Sequence, residues 1–172
     1  MEGKILKKLA LLTLLIFVMA CGKKEDEKIK IGITQIVEHP ALDAAREGFI
    51  EVLKASEFGD RIEFESKSAQ GDMAIAQSIA ESFVNDKKSM ILAIATPTAQ
   101  ASFNATKEIP ILITAVTDPK SAGLIGDNVT GTSDATPLEK QFTLLKKIYP
   151  DAKKIGIIYN IGEQNSEIQV AQ

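Results

Sequence analysis

Short apolar runs alternate along this chain with stretches that repeat apolar residues every three or four positions, and this alternation limits the folds that it can adopt. Strand-like runs are expected at residues 30–36, 61–66, 90–95, 111–115, 129–132 and 155–159. Helical patterns lie between them, at residues 41–55, 73–84, from 96 onward and at 136–149. Repeated strand–helix units with right-handed crossovers build an open, doubly wound parallel sheet. The sequence therefore predicts an α/β fold.

Residues that favour helix starts stand ahead of several of these patterns. Asp72 is suited to be an N-cap, and Thr96-Pro97 places a cap before a proline. The segment Thr136-Pro137-Leu138-Glu139 has the pattern of a capping box. The helix that it opens is expected to bury one stripe of apolar residues, namely Leu138, Phe142, Leu145 and Ile148.

The segments that follow the strands hold the candidate ligand-binding residues, because ligands lie beyond the carboxyl ends of the strands in open α/β sheets. Hydroxyls and amides there stand next to helix N-termini, where free N–H groups favour an anionic group such as a carboxylate. Asp118, Asp134 and Glu163 complement a cation, for example an ammonium group. A ligand bearing both charges, such as an amino acid, suits the set. The candidates are Gln35, His39, Thr96, Thr98, Ala115, Thr117, Asp118, Asp134, Asn160, Glu163, Asn165 and Ser166.

Several of these residues also have a purely structural explanation. Thr96 is suited to be an N-cap, and His39 before Pro40 is suited to the start of a helix. Asp118-Pro119 resembles a turn or a helix start, and Asp134 can brace the chain through an Asx-turn. The sequence leaves both explanations open at each position.

The N-terminal segment indicates where the chain works. Lys4, Lys7 and Lys8 precede an apolar run over residues 9–20, which is shorter than a bilayer-spanning helix. Val18-Met19-Ala20-Cys21 stands where the lipobox of a bacterial lipoprotein would. We expect residues 1–20 to be a signal peptide and Cys21 to be the lipid attachment site, which tethers the protein to a membrane outside the cytoplasm. An ordinary secretory signal or a short membrane anchor is the alternative.

Charge and composition exclude several functions. Residues 21–28 begin a highly charged stretch, which cannot bury a core and is expected to be a solvated linker. Residues 1–20 hold three of the 20 basic and one of the 23 acidic residues, so the remainder carries a net charge of −5. That charge argues against a nucleic-acid partner. With one Cys and one His, the chain forms no internal disulfide and offers little for a metal site.

Catalytic motifs are missing from the sequence. It contains no G-x-S-x-G elbow, no Walker A motif and no G-x-G-x-x-G, and its single His has no Ser or Cys nucleophile in a local motif. We therefore expect a binding protein without a cofactor, and not an enzyme.

Five segments together resemble the substrate-binding lipoproteins of ABC importers, in the subgroup related to tryptophan and tyrosine binding components. They are IGITQIVEHPALDAAREGF, IATPTAQA, IPILITAVTDPKSAGLI, NVTGTSDATP and KIGIIYNIGEQNS, and the resemblance covers Ile29 to Gln172. It implies two α/β lobes that trap a small-molecule ligand in the cleft between them, and a membrane permease as partner. An extracytoplasmic ligand-sensing domain of the same fold, coupled to a signalling partner, is the alternative function.

The resemblance also implies a role for each candidate residue. Carboxylate contacts would come from Thr96, Thr98, Ala115 and Thr117, and the ammonium contact from Asp134. The side-chain end of the ligand would be lined by Gln35 and His39. The second lobe would contribute Asn160, Glu163, Asn165 and Ser166.

The domain organisation that follows places a first lobe at residues 29–135 and a hinge crossing with the beginning of a second lobe at residues 136–172. On this interpretation the second lobe is incomplete and the reading frame is truncated. Such a product would hold half a cleft and an unpaired edge strand that is prone to association.

Overall fold

The computed structural model describes residues 28–171, and five strands within them form one parallel sheet. Across the sheet the strands run in the order β2-β1-β3-β4-β5, and every neighbouring pair is parallel. This confirms the predicted α/β fold and its first five strands. The strands are β1 (Ile29–Gln35), β2 (Ile62–Ser68), β3 (Met90–Ile94), β4 (Ile111–Val116) and β5 (Val129–Ser133).

Helices connect the strands and continue beyond them. They are α1 (Pro40–Lys54), α2 (Met73–Asn85), α3 (Thr96–Ala105), α4 (Leu138–Ile148) and α5 (Gln164–Ala171), with a 3₁₀ turn at Gly59–Arg61. Asp72 caps α2 as predicted, because its Oδ1 accepts from the N–H groups of Ala74 at 2.6 Å and Ile75 at 3.1 Å. The side chain thereby satisfies two backbone donors that have no partner inside the helix.

The core has two parts, one on each face of the sheet. Alternate residues of β1 and β3, such as Ile31, Ile33, Leu92 and Ile94, are buried on the face that α1 covers. The opposite face packs against α2 and α3, and Phe83 is its largest fully buried side chain. Parallel strands covered on both faces are hydrophobic throughout, which explains the unbroken apolar run of β3.

A network of charged side chains lies beside β2, at one edge of the sheet. The ammonium group of Lys88 forms an ion pair with Glu65, and Lys67 reaches the same carboxylate at 2.9 Å. Only 9% of the Lys88 side chain is exposed. The hydrogen bonds from Lys88 and then from Lys67 hold the pKa of Glu65 below its ordinary value of 4.5, because they favour the charged form.

The prediction of a sixth strand at residues 155–159 is wrong, since these residues adopt no regular secondary structure. Ile155, Ile157 and Ile158 are all more than half exposed. A strand needs a neighbour for its backbone hydrogen bonds, and no strand within residues 28–171 lies beside this run. An apolar run therefore does not form a strand unless another strand lies beside it.

Two helix starts and one buried stripe also differ from prediction. The N-cap of α3 is Ala95 and that of α4 is Pro137, and neither helix has a side-chain cap. Thr96 and Thr136 are therefore not caps. No residue of α4 is buried, and Phe142 and Ile148 are 43% and 59% exposed, because no described element covers that helix face.

The described residues contain no helix that is long and apolar enough to cross a bilayer. The predicted signal peptide at residues 1–20, Cys21 and all but the last residue of the 21–28 linker lie outside the described residues.

Candidate functional site

The strand order reverses between β1 and β3, and this reversal opens a crevice at the carboxyl edge of the sheet. From β1 the chain crosses to β2 on one side, and from β2 it returns to β3 on the other. Gln35, the last residue of β1, lies in register with Ile94, the last residue of β3. Such a reversal point is where open α/β sheets bind ligands. It brings the segments after Gln35 and after Ile94 together.

Gln35 is buried at this edge, and its amide group is fully used within the protein. Its nitrogen donates to Asp43 Oδ1 at 2.9 Å and to the Val37 carbonyl at 3.0 Å. Its oxygen accepts from Arg46 Nη1 at 2.7 Å, and Arg46 also pairs with Asp43 at 3.0 Å. The side chain therefore ties α1 to the loop after β1. Sequence reasoning missed Asp43 and Arg46, although their spacing on one helix face is visible in the sequence.

His39 has the structural role that the sequence offered as an alternative. It is the N-cap of α1, and its Nδ1 accepts from the N–H of Ala41 at 3.2 Å. The residue is exposed, in the segment between β1 and α1.

The start of α3 combines backbone strain with unused hydrogen-bonding groups. Ala95 has a φ of 83° and a ψ of 156°, a conformation that is nearly restricted to glycine. The first intrahelical bond runs from Ala99 N to Ala95 O, so the N–H groups of Thr96 and Thr98 have no intrahelical acceptor.

The two threonine hydroxyls of this helix start differ. Thr98 Oγ1 donates to the Ile94 carbonyl at 2.7 Å and lies 3.0 Å from the Ala95 carbonyl. Thr96 Oγ1 is buried and has no hydrogen-bond partner among residues 28–171. A buried polar atom without a partner is rare in folded proteins and marks a place where a ligand can supply one.

The end of β4 repeats the strain found at the end of β3. Ala115, the penultimate residue of β4, has a φ of 56°, and the Ala95 N–H donates to Thr114 O at 2.9 Å, so the two strained residues lie at the ends of adjacent, hydrogen-bonded strands. Alanine pays a steric cost in this left-handed region. Strain of this kind accumulates at functional sites, where the surrounding fold enforces it.

Asp118 forms the turn that follows β4. Its Oδ1 accepts from the N–H groups of Lys120 at 3.0 Å and Ser121 at 3.1 Å, and its Oδ2 accepts from Ser121 Oγ at 2.5 Å. The Ser121 hydroxyl first, and then the backbone N–H groups, lower the pKa of Asp118 below its ordinary 3.8, so the side chain is ionised at neutral pH. Its oxygens serve the turn, as the structural alternative anticipated.

A cavity of about 250 Å³ lies beyond the carboxyl ends of β4 and β5. Two candidates, Thr117 and Asp118, line it together, and Gln169 enters from α5. Asp134 is exposed between two further lining residues, and its N–H donates to the Val116 carbonyl at 2.7 Å. The remaining lining residues are Pro119, Ser133, Ala135 and Thr136.

The candidates of the C-terminal segment lie in the loop before α5 and in its first turn. Asn160 forms the loop, with Oδ1 accepting from the Gly162 N–H at 2.9 Å and Nδ2 lying 3.3 Å from Glu163 Oε1. Ser166 is partly buried, and Asn165 Oδ1 is buried with no hydrogen-bond partner in the described part of the chain. Sequence reasoning missed Gln164 and Gln169, whose signal was only their nearness to these candidates.

Two larger cavities, of about 520 and 570 Å³, lie at the opposite edge of the sheet. They are lined by charged side chains near the starts of β1 and β2, including Lys30, Glu63 and Arg61. Several of those charges pair with one another, as Lys28 does with Glu63 at 2.5 Å. The smaller cavity lies at the carboxyl edge of the sheet, where open α/β sheets bind their ligands, and is therefore the better candidate. In residues 28–171, no cluster of His, Cys, Asp and Glu is arranged to hold a metal ion.

Known proteins share this sequence and fold. The family model described as ABC transporter substrate binding protein matches residues 30–172. A tyrosine-binding protein of Clostridioides difficile is 54% identical in an alignment of 159 residues, which covers 87% of this chain and 46% of the relative. The chain thus spans about half the length of the curated relative that it matches.

Two solved structures are similar over the same region. An ABC domain from Streptococcus pneumonia in complex with L-Trp superimposes with a TM-score of 0.79 at 34% identity, over 84% of this chain and 52% of that one. A ligand-free, open substrate binding protein from Clostridium difficile gives a TM-score of 0.65 at 54% identity, over 83% and 51%. The family match extends over nearly all of the described fold and over every candidate ligand residue, and the chain belongs to the ABC transporter substrate-binding proteins.

Proposed function

We propose that this chain is the extracytoplasmic solute-binding component of an ABC importer, which holds an aromatic amino acid in a cleft and catalyses no reaction. The observation that carries the proposal is the start of α3. There, a helix N-terminus without a side-chain cap stands beside a buried hydroxyl that has no partner. The free N–H groups and the partial positive charge of the helix end suit a carboxylate.

In this proposal, one backbone group and one side-chain group bind the carboxylate of the ligand. The N–H of Thr98 and the hydroxyl of Thr96 donate to the carboxylate, because the Thr98 hydroxyl is already committed to the Ile94 carbonyl. The strained backbones of Ala95 and Ala115 direct the two strand ends toward the crevice. Thr117 lines the neighbouring cavity and extends the polar surface.

The ammonium group of the ligand pairs with Asp134. Asp118 lies in the same region, but its two oxygens are held by the turn over residues 118–121. Asp134 is exposed and directly follows β5, at the end of the sheet that faces the cavity. Gln35 and His39 shape the crevice from the first lobe, while Asn160, Glu163, Asn165 and Ser166 approach it from the C-terminal segment.

The choice of ligand is supported by the relatives. One is named a tyrosine-binding protein, and another was solved with L-Trp bound. Both ligands are amphoteric, and both carry a large aromatic side chain. A site with a helix N-terminus and a nearby carboxylate matches the charged groups that the two ligands share.

The remaining parts of the proposal concern cell location and partners. Residues 1–20 act as a lipoprotein signal peptide, Cys21 receives the lipid, and residues 21–28 form a charged linker. Residues 29–135 form the first lobe, and residues 136–172 cross the hinge and begin the second. A tether of this kind raises the effective concentration of the binding protein near its membrane permease.

The experiment is a calorimetric titration with L-tyrosine and with two analogues that each lack one charge. Tyramine lacks the carboxylate, and 3-(4-hydroxyphenyl)propionate lacks the ammonium group. We expect L-tyrosine or L-tryptophan to bind and both analogues to bind at least about tenfold more weakly, since each loses a charge-assisted hydrogen bond worth about 1.5–3 kcal/mol. Tyramine binding as tightly as L-tyrosine would contradict the proposed carboxylate site.

A further inference from the structure

Helix α5 is joined to the first lobe through its first residue, Gln164. The side-chain oxygen of Gln164 accepts from Gln100 Nε2 at 2.6 Å, and its nitrogen donates to the Ser121 carbonyl at 2.8 Å. Gln100 belongs to α3, and Ser121 belongs to the turn after β4. One amide group therefore joins three segments that are far apart in the sequence.

The orientation of this amide pair is fixed by its neighbours. Gln100 Nε2 also donates to the Ala122 carbonyl at 3.1 Å, and a backbone carbonyl only accepts. The nitrogen of Gln164 must likewise face the Ser121 carbonyl, which leaves its oxygen for Gln100. Both polar groups of the Gln164 amide are therefore matched, and a carboxylate in its place would put an oxygen against the Ser121 carbonyl.

This connection places the rest of α5 over the candidate site. Gln169, five residues along the helix, lines the cavity together with Thr117, Asp118 and Thr136. Asn165 lies one turn before Gln169 and so shares its helix face. The Asn165 Oδ1 atom is buried, and none of the described residues forms a hydrogen bond with it.

We propose that Gln164 is a positioning residue, which holds α5 against the first lobe and thereby lets Gln169 contact the bound solute. The inference rests on the proposed function and adds to it a residue that controls affinity without touching the ligand. Gln169 is the ligand-contacting residue, and its amide binds a polar group of the amino acid. Gln100 and Ser121 are the partners through which Gln164 acts.

The first test measures the position of α5 without any ligand. In the full chain with Cys21→Ser, spin labels at Asn104→Cys on α3 and Val170→Cys on α5 report the distance between the two helices by pulsed electron paramagnetic resonance. We expect a narrow distribution in the labelled parent and a broader, longer one after Gln164→Ala. The matched control is Glu167→Ala, which removes an exposed side chain of the same helix. An unchanged distribution after Gln164→Ala overturns the inference.

The second test measures affinity for L-tyrosine. We expect Gln164→Ala to weaken binding about tenfold, the equivalent of one to two lost hydrogen bonds, and Glu167→Ala to change it less than about twofold. Gln100→Ala should weaken binding similarly, and the double variant should be little worse than either single one, because both remove the same connection. Additive losses would overturn the role of the pair.

The two proposals fail in different ways. If the parent chain binds neither L-tyrosine nor L-tryptophan, the proposed function is wrong, and with it the role of Gln169 as a ligand contact. If the parent binds and Gln164→Ala binds equally well, the proposed function stands and the positioning role of Gln164 is wrong. Circular dichroism of each variant verifies that the fold is retained.

Discussion

Ala95 and Ala115 lie at the carboxyl ends of neighbouring parallel strands, and both have positive φ angles, of 83° and 56°. The hydrogen bond from Ala95 N to Thr114 O, at 2.9 Å, holds these two strand ends together. Both residues carry a Cβ atom in a region where L-residues are strained. The strained conformations of these two residues therefore lower the stability of the fold, and they give the carboxyl edge of the sheet its shape.

Replacing Ala95 by glycine is expected to relieve this strain. The conformation costs alanine about 1–3 kcal/mol, whereas glycine adds about 0.5–1 kcal/mol of backbone entropy to folding. We expect Ala95→Gly to raise the free energy of unfolding by about 1 kcal/mol in a urea titration. The control is Ala44→Gly on the exposed side of α1, which should lower it by about 1 kcal/mol. Equal losses for both variants would show that Ala95 is not strained.

Thr96 and Thr98 are expected to respond in opposite ways to substitution by valine. Thr96→Val removes a buried hydroxyl without a partner, so the free energy of unfolding should stay the same or rise by up to about 1 kcal/mol. Affinity for L-tyrosine should fall about tenfold, since the carboxylate loses a donor. Thr98→Val removes the bond to the Ile94 carbonyl and should cost about 1 kcal/mol of stability. Unchanged affinity in Thr96→Val would remove this hydroxyl from the binding site.

Acid is expected to weaken the fold through Glu65. Its pKa is lowered in the folded state, so its contribution to stability is present above the ordinary pKa of 4.5 and is lost as the pH falls through the lower folded value. The difference in melting temperature between the parent and Glu65→Gln should therefore be largest near neutral pH and shrink below about pH 4.5. Glu57→Gln, which removes an exposed carboxylate, is the control. A difference that is constant with pH would exclude this ion-pair network as its source.

Gly131 is expected to be intolerant of any side chain. Its φ is 151°, and a Cβ atom there would overlap the carbonyl oxygen of Ile113 on the neighbouring strand. Gly131→Ala should therefore lower the free energy of unfolding by about 2 kcal/mol. A Cβ atom at Gly156 would meet nothing within 4 Å, so Gly156→Ala should change the free energy of unfolding by less than about 0.5 kcal/mol. Equal stability of the two variants would contradict the close approach of β4 and β5.

The sheet was predictable because each of its first five strands carries its own local signal. The apolar run of β3 and the alternation in β2 both follow from how parallel strands are covered. The run at residues 155–159 has the same signal but lacks a neighbour among residues 28–171. Strand formation depends on a partner, and the local sequence does not contain that information.

The sequence predicted which loops lie at the candidate site, but it did not predict what each side chain does there. Gln35, Thr96 and Asp118 all lie at the carboxyl edge as expected, because strand order brings the ends of parallel strands together. The sequence did not reveal that the Gln35 side chain forms hydrogen bonds with Arg46 and Asp43. It also did not reveal that the Asp118 side chain forms hydrogen bonds within its own turn. It also did not reveal Gln164, since a hydrogen bond between residues 64 positions apart leaves no trace in local spacing.

The all-parallel sheet also bears on how the chain folds during synthesis. No two of its strands can pair as a hairpin, and even the paired residues closest in sequence, Val116 and Ser133, are separated by an intervening loop. Sheets built from such distant contacts form slowly. Strand β1 lies between β2 and β3 and gains its second neighbour only when β3 is available, so the nascent sheet remains open until at least three of its strands have been made. Such a delay would favour passage through a membrane as an extended chain, the route that the proposed signal peptide at residues 1–20 implies.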